Sequence, residues 1–164
     1  MDLFRLENKV AVVTGAVGLL GKHHCQALSE AGANVIACDL TEEKCIELAD
    51  QLPTESLGIF LDVTLSRSIQ KVLDEALKKF GHVDILVNNA AINDMFETPA
   101  LAAEQSKFEN YPLEIWQKSL DVNVTGIFLC SQIIGSLMVQ QKKGSIVNVA
   151  SMLARLLTST SFAP

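Results

Sequence analysis

Five short, β-branched runs recur along the chain: KVAVVT (9–14), NVIACD (34–39), SLGIFLD (56–62), DILVNNA (84–90) and SIVNVAS (145–151). Each is too short for a helix and too continuously apolar for a strand with one wet face, so each is expected as a strand covered on both sides. Between them, 19–31, 41–52 and 66–80 have helical composition and spacing, with Thr41 and Ser66 placed as N-caps. That alternation dictates a parallel sheet with helices on both faces and right-handed crossovers. The expected fold is α/β: a three-layer, doubly wound sheet in a single domain over 1–164, incomplete at its C-terminal side. At 49% apolar and 20% charged residues, the chain has the mixture of an ordinary globular domain.

The stretch 92–112 breaks the alternation. It is polar, contains Pro99 and Pro112, and shows only a weak helical pattern at 99–108, so it is expected as a long loop over the carboxyl edge of the sheet. A helix resumes at Leu113, as two segments or one bent around Gly126. Its apolar tract 125–139, interrupted by Ser131 and Gln132, falls short of the roughly 20 residues of a membrane span and is expected as a buried helix. No membrane association is expected.

Charge and cysteine content narrow the partners. A net charge of −6 without clustered Lys and Arg argues against nucleic acid, and Lys142–Lys143 is expected as a solvated helix end. The four cysteines, Cys25, Cys38, Cys45 and Cys130, form no CxxC pair, and the N-terminus carries no signal-peptide pattern. Reduced thiols and a cytoplasmic location are expected. His23 and His24 point about 100° apart on a helix and converge on no ion, so both are expected at the surface and no metal is expected.

TGAVGLLG (14–21) follows the first strand and opens the first helix. Glycine there allows a tight turn, lets a diphosphate approach backbone N–H groups and packs helix against strand, while the helix N-terminus offers unpaired donors to anions. Thr14, Gly15, Val17, Gly18, Leu19 and Gly21 are therefore candidate cofactor contacts. Asp39 ends the second strand, 18 residues past Gly21, where a carboxylate accepts hydrogen bonds from a ribose 2′-OH and repels a 2′-phosphate. It points to NAD over NADP, although capping the helix that starts near Thr41 explains Asp39 as well. Asp62 ends the third strand on the same side, as an adenine contact, although helix capping at Thr64 to Ser66 explains the local polarity as well.

The ordered series TGAVGLLG, CD (38–39), LDVT (61–64), FGHVDILVNNAA (80–91), DVNVTG (121–126) and GSIVNVAS (144–151) resembles the short-chain dehydrogenases/reductases. The resemblance runs from about Lys9 to Ser151. It implies a Rossmann sheet, NAD(H) or NADP(H), and hydride transfer between a small-molecule alcohol and a carbonyl. By resemblance Leu40 and Val63 join the cofactor contacts. Asn88, Asn89 and Ala90 match an NNAG segment beside the adenosine ribose, with Ala91 in place of its glycine. Asn123 matches the catalytic asparagine, whose backbone holds a water in the proton relay, and Ser151 the serine that hydrogen-bonds the reacting oxygen.

Two departures stand out. The spacing of Gly15, Gly18 and Gly21 is similar to that of the family's sugar-nucleotide branch. The YxxxK pair expected about a dozen residues after the serine is absent, since the only tyrosine is Tyr111 and no lysine follows Lys143. Tyrosine matters there because its phenol passes a proton at the substrate oxygen, with a nearby lysine lowering its pKa. Three readings follow: a truncated or frameshifted NAD-dependent oxidoreductase, a non-catalytic NAD-binding module, and a sugar-nucleotide enzyme. The last strand is expected to leave Ile146 to Val149 as an apolar edge, which favours homo-oligomers.

Overall fold

The structure, a computed structural model, describes residues 4–93 and 108–150 of the 164-residue chain. The described strands are β1 (Val10–Thr14), β2 (Asn34–Asp39), β3 (Leu57–Phe60), β4 (Ile85–Asn88) and β5 (Ser145–Asn148). They form one parallel sheet in the order β3-β2-β1-β4-β5. The chain builds outward from β1 to β3, then returns to the far side of β1 for β4 and β5. The carboxyl ends of β1 and β4 therefore flank the point where the winding reverses, which is where open α/β sheets bind ligands.

The helices are α1 (Gly21–Glu30), α2 (Glu42–Asp50), α3 (Ser66–Phe80), α4 (Leu113–Leu120) and α5 (Ile127–Gln141). A π-helical turn, Asp121–Gly126, joins α4 to α5 without a break. The period of two along β1 divides the core: Val10 and Val12 pack with Ile69, Val72, Leu86 and Ile134 on one face, while Val13 packs with Cys25, Val35, Ala37 and Val87 on the other.

Several sequence expectations are corrected. Leu65, not Ser66, occupies the cap position of α3, and no side chain caps it. The polar groups before α3 bond to one another instead: Asp62 Oδ1 accepts from Thr64 N–H (2.9 Å) and hydroxyl (2.6 Å), and Ser68 Oγ accepts from Asp62 N–H (3.0 Å). Thr41 holds the cap position of α2 but makes no capping bond. β5 is not covered on both faces, since all four of its residues are exposed.

The α4–α5 helix is also less buried than expected. Leu113–Gln141 is long and apolar enough, by length and composition, to cross a membrane. Its buried positions are Gly126, Cys130, Ile134 and Met138, four residues apart, which make one stripe docked on the globular core. Phe128 and Val139 stay exposed. Of the expected long loop, the described part holds a single 3-10 turn at Phe108–Asn110, and the weak helical pattern at 99–107 lies outside the described residues.

Lys143 is not a freely solvated helix end. Its Nζ lies 3.0 Å from Asp84 Oδ1, a carboxylate 6% exposed that also meets Lys9 (3.5 Å), His82 (3.1 Å) and the N–H of Val10 (3.1 Å). Burial pushes the Asp84 pKa up, but the Lys143 hydrogen bond, the Val10 N–H, Lys9 and His82 together hold it below the ordinary value. This cluster ties β1, β4 and the entry to β5 at the edge away from the winding reversal. His23 is at the surface, whereas His24 is half-buried, and its Nε2 is enclosed without a partner among the described residues.

Candidate functional site

The glycine turn is set by contacts that only a missing side chain permits. Gly15 has φ +64°, and a Cβ there would lie 2.8 Å from Ala90 Cα; a Cβ on Gly21 would collide with the Gly15 carbonyl. Thr14 holds this turn against the end of β4: its hydroxyl donates to Val87 O (3.4 Å) and accepts from the N–H groups of Asn89 and Ala90, both at 3.0 Å. The Asn89 amide donates to the carbonyls of Thr14 and Gly15, each at 3.0 Å. β1 and β4 are thus locked together where the winding reverses.

α1 starts at Gly21, two residues later than the sequence pattern placed it, with Leu20 at the cap position and no side-chain cap. The N–H groups of Leu19 and Leu20 have no acceptor among the described residues. Among the described residues, a Cβ on Gly18 would meet only Gly15 O, 3.2 Å away. Free donors beside a helix start, faced by space that glycine leaves open, fit the diphosphate of a dinucleotide.

Asp39 sits beside this turn at the tip of β2. Its Oδ2 accepts from Val17 N–H (3.1 Å) and its Oδ1 from Leu40 N–H (2.7 Å). Each oxygen keeps a further lone pair, so the carboxylate is fixed in orientation and still able to accept from a ligand. The helix-cap role is not its arrangement here, because the bonds run to the glycine turn and to Leu40.

These elements line one cavity of about 1240 Å³. Gly15, Gly18, Leu19, Asp39, Leu40, Asp62, Val63, Asn89, Ala90 and Ala91 from the sequence expectations all border it. Thr14, Val17 and Gly21 support it from behind through the contacts above. Sequence reasoning missed one wall: Leu113, Glu114, Gln117, Lys118, Asp121 and Val122 form a single face of α4 and the π turn. Their i, i+1, i+4, i+5, i+8, i+9 spacing was the available signal, but a mixed polar and apolar stripe reads as a solvated helix face.

Asn123 lies in the π turn. Its Oδ1 accepts from Ile92 N–H (2.9 Å), and its Nδ2 donates to Ile92 O (3.0 Å) and Ser119 Oγ (3.2 Å). The amide pins the chain leaving β4 to the helix, and the π turn is a geometry often found at functional sites. Asn88 points into the core, donating to Asn148 Oδ1 (2.8 Å) and Ser131 Oγ (3.1 Å), and so joins β4 to β5 and α5. Ser151 lies outside the described residues.

The cysteines line no part of this cavity. Burial raises the thiol pKa values of Cys25 and Cys130 to about 12 and of Cys45 to about 11, and pushes Cys38 well above the ordinary value. Such thiols are unreactive at neutral pH.

Comparison with known proteins gives one consistent result. A family model described as short chain dehydrogenase matches residues 9–162. An NAD-dependent glycerol dehydrogenase of Listeria innocua is 37% identical over 148 residues, covering 90% of this chain and 54% of that protein. A D-threitol dehydrogenase of Mycolicibacterium smegmatis is 36% identical over 154 residues, covering 92% and 55%. A solved short-chain type dehydrogenase/reductase from Mycobacterium marinum superposes with a TM-score of 0.83 at 34% identity, covering 94% of this chain and 58% of that one. The chain spans about half the length of the curated relatives it matches.

Proposed function

Because this chain belongs to the short-chain dehydrogenase family, we propose that its carboxyl-edge cavity binds NAD(H), in support of hydride exchange between a small alcohol and its carbonyl by the whole protein. NAD(H) supplies or accepts the hydride when bound. The residues of this chain do the holding: the Leu19 and Leu20 N–H groups face the diphosphate, and Asp39 accepts from the adenosine ribose. Val63 and Leu40 offer apolar surface to the base, while Asn89 and Thr14 keep the turn in shape. Asn123 fixes the π turn against Ile92, and Ser151 carries the substrate-oxygen role that the family resemblance gives it. The family's YxxxK pair has no counterpart in this sequence, and the activity proposed here is cofactor binding.

The observation that carries the proposal is the Asp39 carboxylate, anchored to the Val17 N–H of the glycine turn at 3.1 Å. An anion in that place accepts the two ribose hydroxyls and repels a 2′-phosphate. Calorimetric titration of the chain with NAD and NADP should show NAD preferred, with Asp39→Ala reducing that preference about tenfold. Equal binding of both cofactors by the unaltered chain, or a preference unchanged by the substitution, removes Asp39 from the ribose site.

A further inference from the structure

Gly126 closes the π turn between α4 and α5 and lies buried against the loop after β3. Its φ of −60° is ordinary helical backbone, so its conformation does not call for glycine. The space around it does. A Cβ there would stand 2.7 Å from Val63 Cγ2 and 3.1 Å from Val63 Cβ, closer than packed carbon atoms come. Val63 has two neighbourhoods: it belongs to the apolar core with Leu61, Cys130 and Ile134, and it also borders the carboxyl-edge cavity. Its backbone is held on either side, because Asp62 Oδ1 accepts from Thr64 N–H and Asp62 N–H donates to Ser68 Oγ. Its β-branched side chain has little rotamer freedom. A group pressing on Val63 from position 126 therefore meets a packed core and a held backbone, and the cavity is the open side left among the described residues.

We propose that Gly126 is a positioning residue which sets the depth of the cofactor cavity at Val63, keeping clear the space in which the adenine base lies against that valine. This rests on the cofactor reading above. The α4 wall runs without a break into the π turn, so the approach of Gly126 to Val63 also fixes how closely that wall faces the end of β3. A methyl group at 126 either drives the Val63 side chain toward the base or holds the wall back from it. Both changes spoil the fit of a base lying between them.

Calorimetric titration of the full chain with NAD separates positioning from a folding defect, because affinity reports the shape of the site and stoichiometry the folded fraction. Gly126→Ala should weaken NAD binding about tenfold in the molecules that bind. Val63→Ala removes the methyl groups at the contact. In that background Gly126→Ala should weaken binding no further, and the two losses should not add. This second comparison decides the matter even where Gly126→Ala alone does not fold. Unchanged affinity in the Gly126→Ala molecules that bind, or a further loss in the Val63→Ala background, overturns the proposal and leaves the cofactor cavity standing. Failure of the unaltered chain to bind NAD overturns the cofactor reading and this proposal with it.

Discussion

β1 and β5 belong to one parallel sheet and read alike as sequence, VAVVT and SIVN, yet every residue of β1 is buried and every residue of β5 is exposed. β1 has β2 on one side and β4 on the other, whereas β5 pairs only with β4 among the described strands. The contrast separates two properties that an apolar run mixes together. Strand formation is local, since β-branched residues suit the pleated backbone wherever it lies. Burial is set by place in the sheet, which depends on how distant segments are wound. The functional consequence is that, among the described residues, the cavity borders the segments leaving β1, β2, β3 and β4, and none of its lining comes from β5.

The same substitution in both strands breaks or sharpens this comparison. The largest effect is expected at Val12, which is fully buried among Val10, Ile36, Leu86 and Ile134. Val12→Thr keeps the branched shape and the strand propensity but places a hydroxyl where no partner waits, costing about 2–3 kcal/mol. Urea denaturation measures it, and a midpoint unchanged from the unaltered chain would deny β1 its central place.

What was legible in the residues follows the same division. The glycine turn could be read because Gly15 and Gly21 answer to contacts a few residues away and to one strand tip. Asp39 was legible for a related reason: its bond to Val17 closes a strand–helix–strand unit whose length the spacing already implied. The α4 wall was not, because what makes Lys118 a lining residue is the approach of α4 to a strand end more than 50 positions away, to which its local pattern does not refer. The partnership of Lys143 with Asp84 stayed hidden for that reason too. A lysine after a helix looks solvated until the sheet brings a buried carboxylate beneath it.

That ion cluster gives the intermediate effect, because it joins the buried strand to the exposed one. Asp84 accepts from Val10 N–H at the start of β1 and meets Lys143 just before β5. Asp84→Asn keeps an acceptor for Val10 but loses the charge that Lys143, Lys9 and His82 face, costing about 1–2 kcal/mol at neutral pH. The pH dependence has a definite sign. The folded pKa of Asp84 lies below the ordinary 3.8, so the unfolded chain takes up its proton first on acidification. The stabilisation is complete well above pH 3.8 and is lost as pH falls through the folded value. Denaturation midpoints of the two proteins, separated at neutral pH, should converge in acid; a gap that stays constant would mean the charge contributes nothing.

The smallest effect is expected at Val147, where the swap made at position 12 is repeated. Val147 is 48% exposed, its neighbour Val149 is 36% exposed, and a hydroxyl there stays in water. Val147→Thr should therefore change stability by less than about 0.5 kcal/mol, with β-propensity conserved. A cost near that of Val12→Thr would show that β5 is covered in solution. Performed over a range of protein concentrations, the measurement also identifies the cover: a second copy makes the cost rise with concentration, whereas residues of the same chain make it independent of concentration.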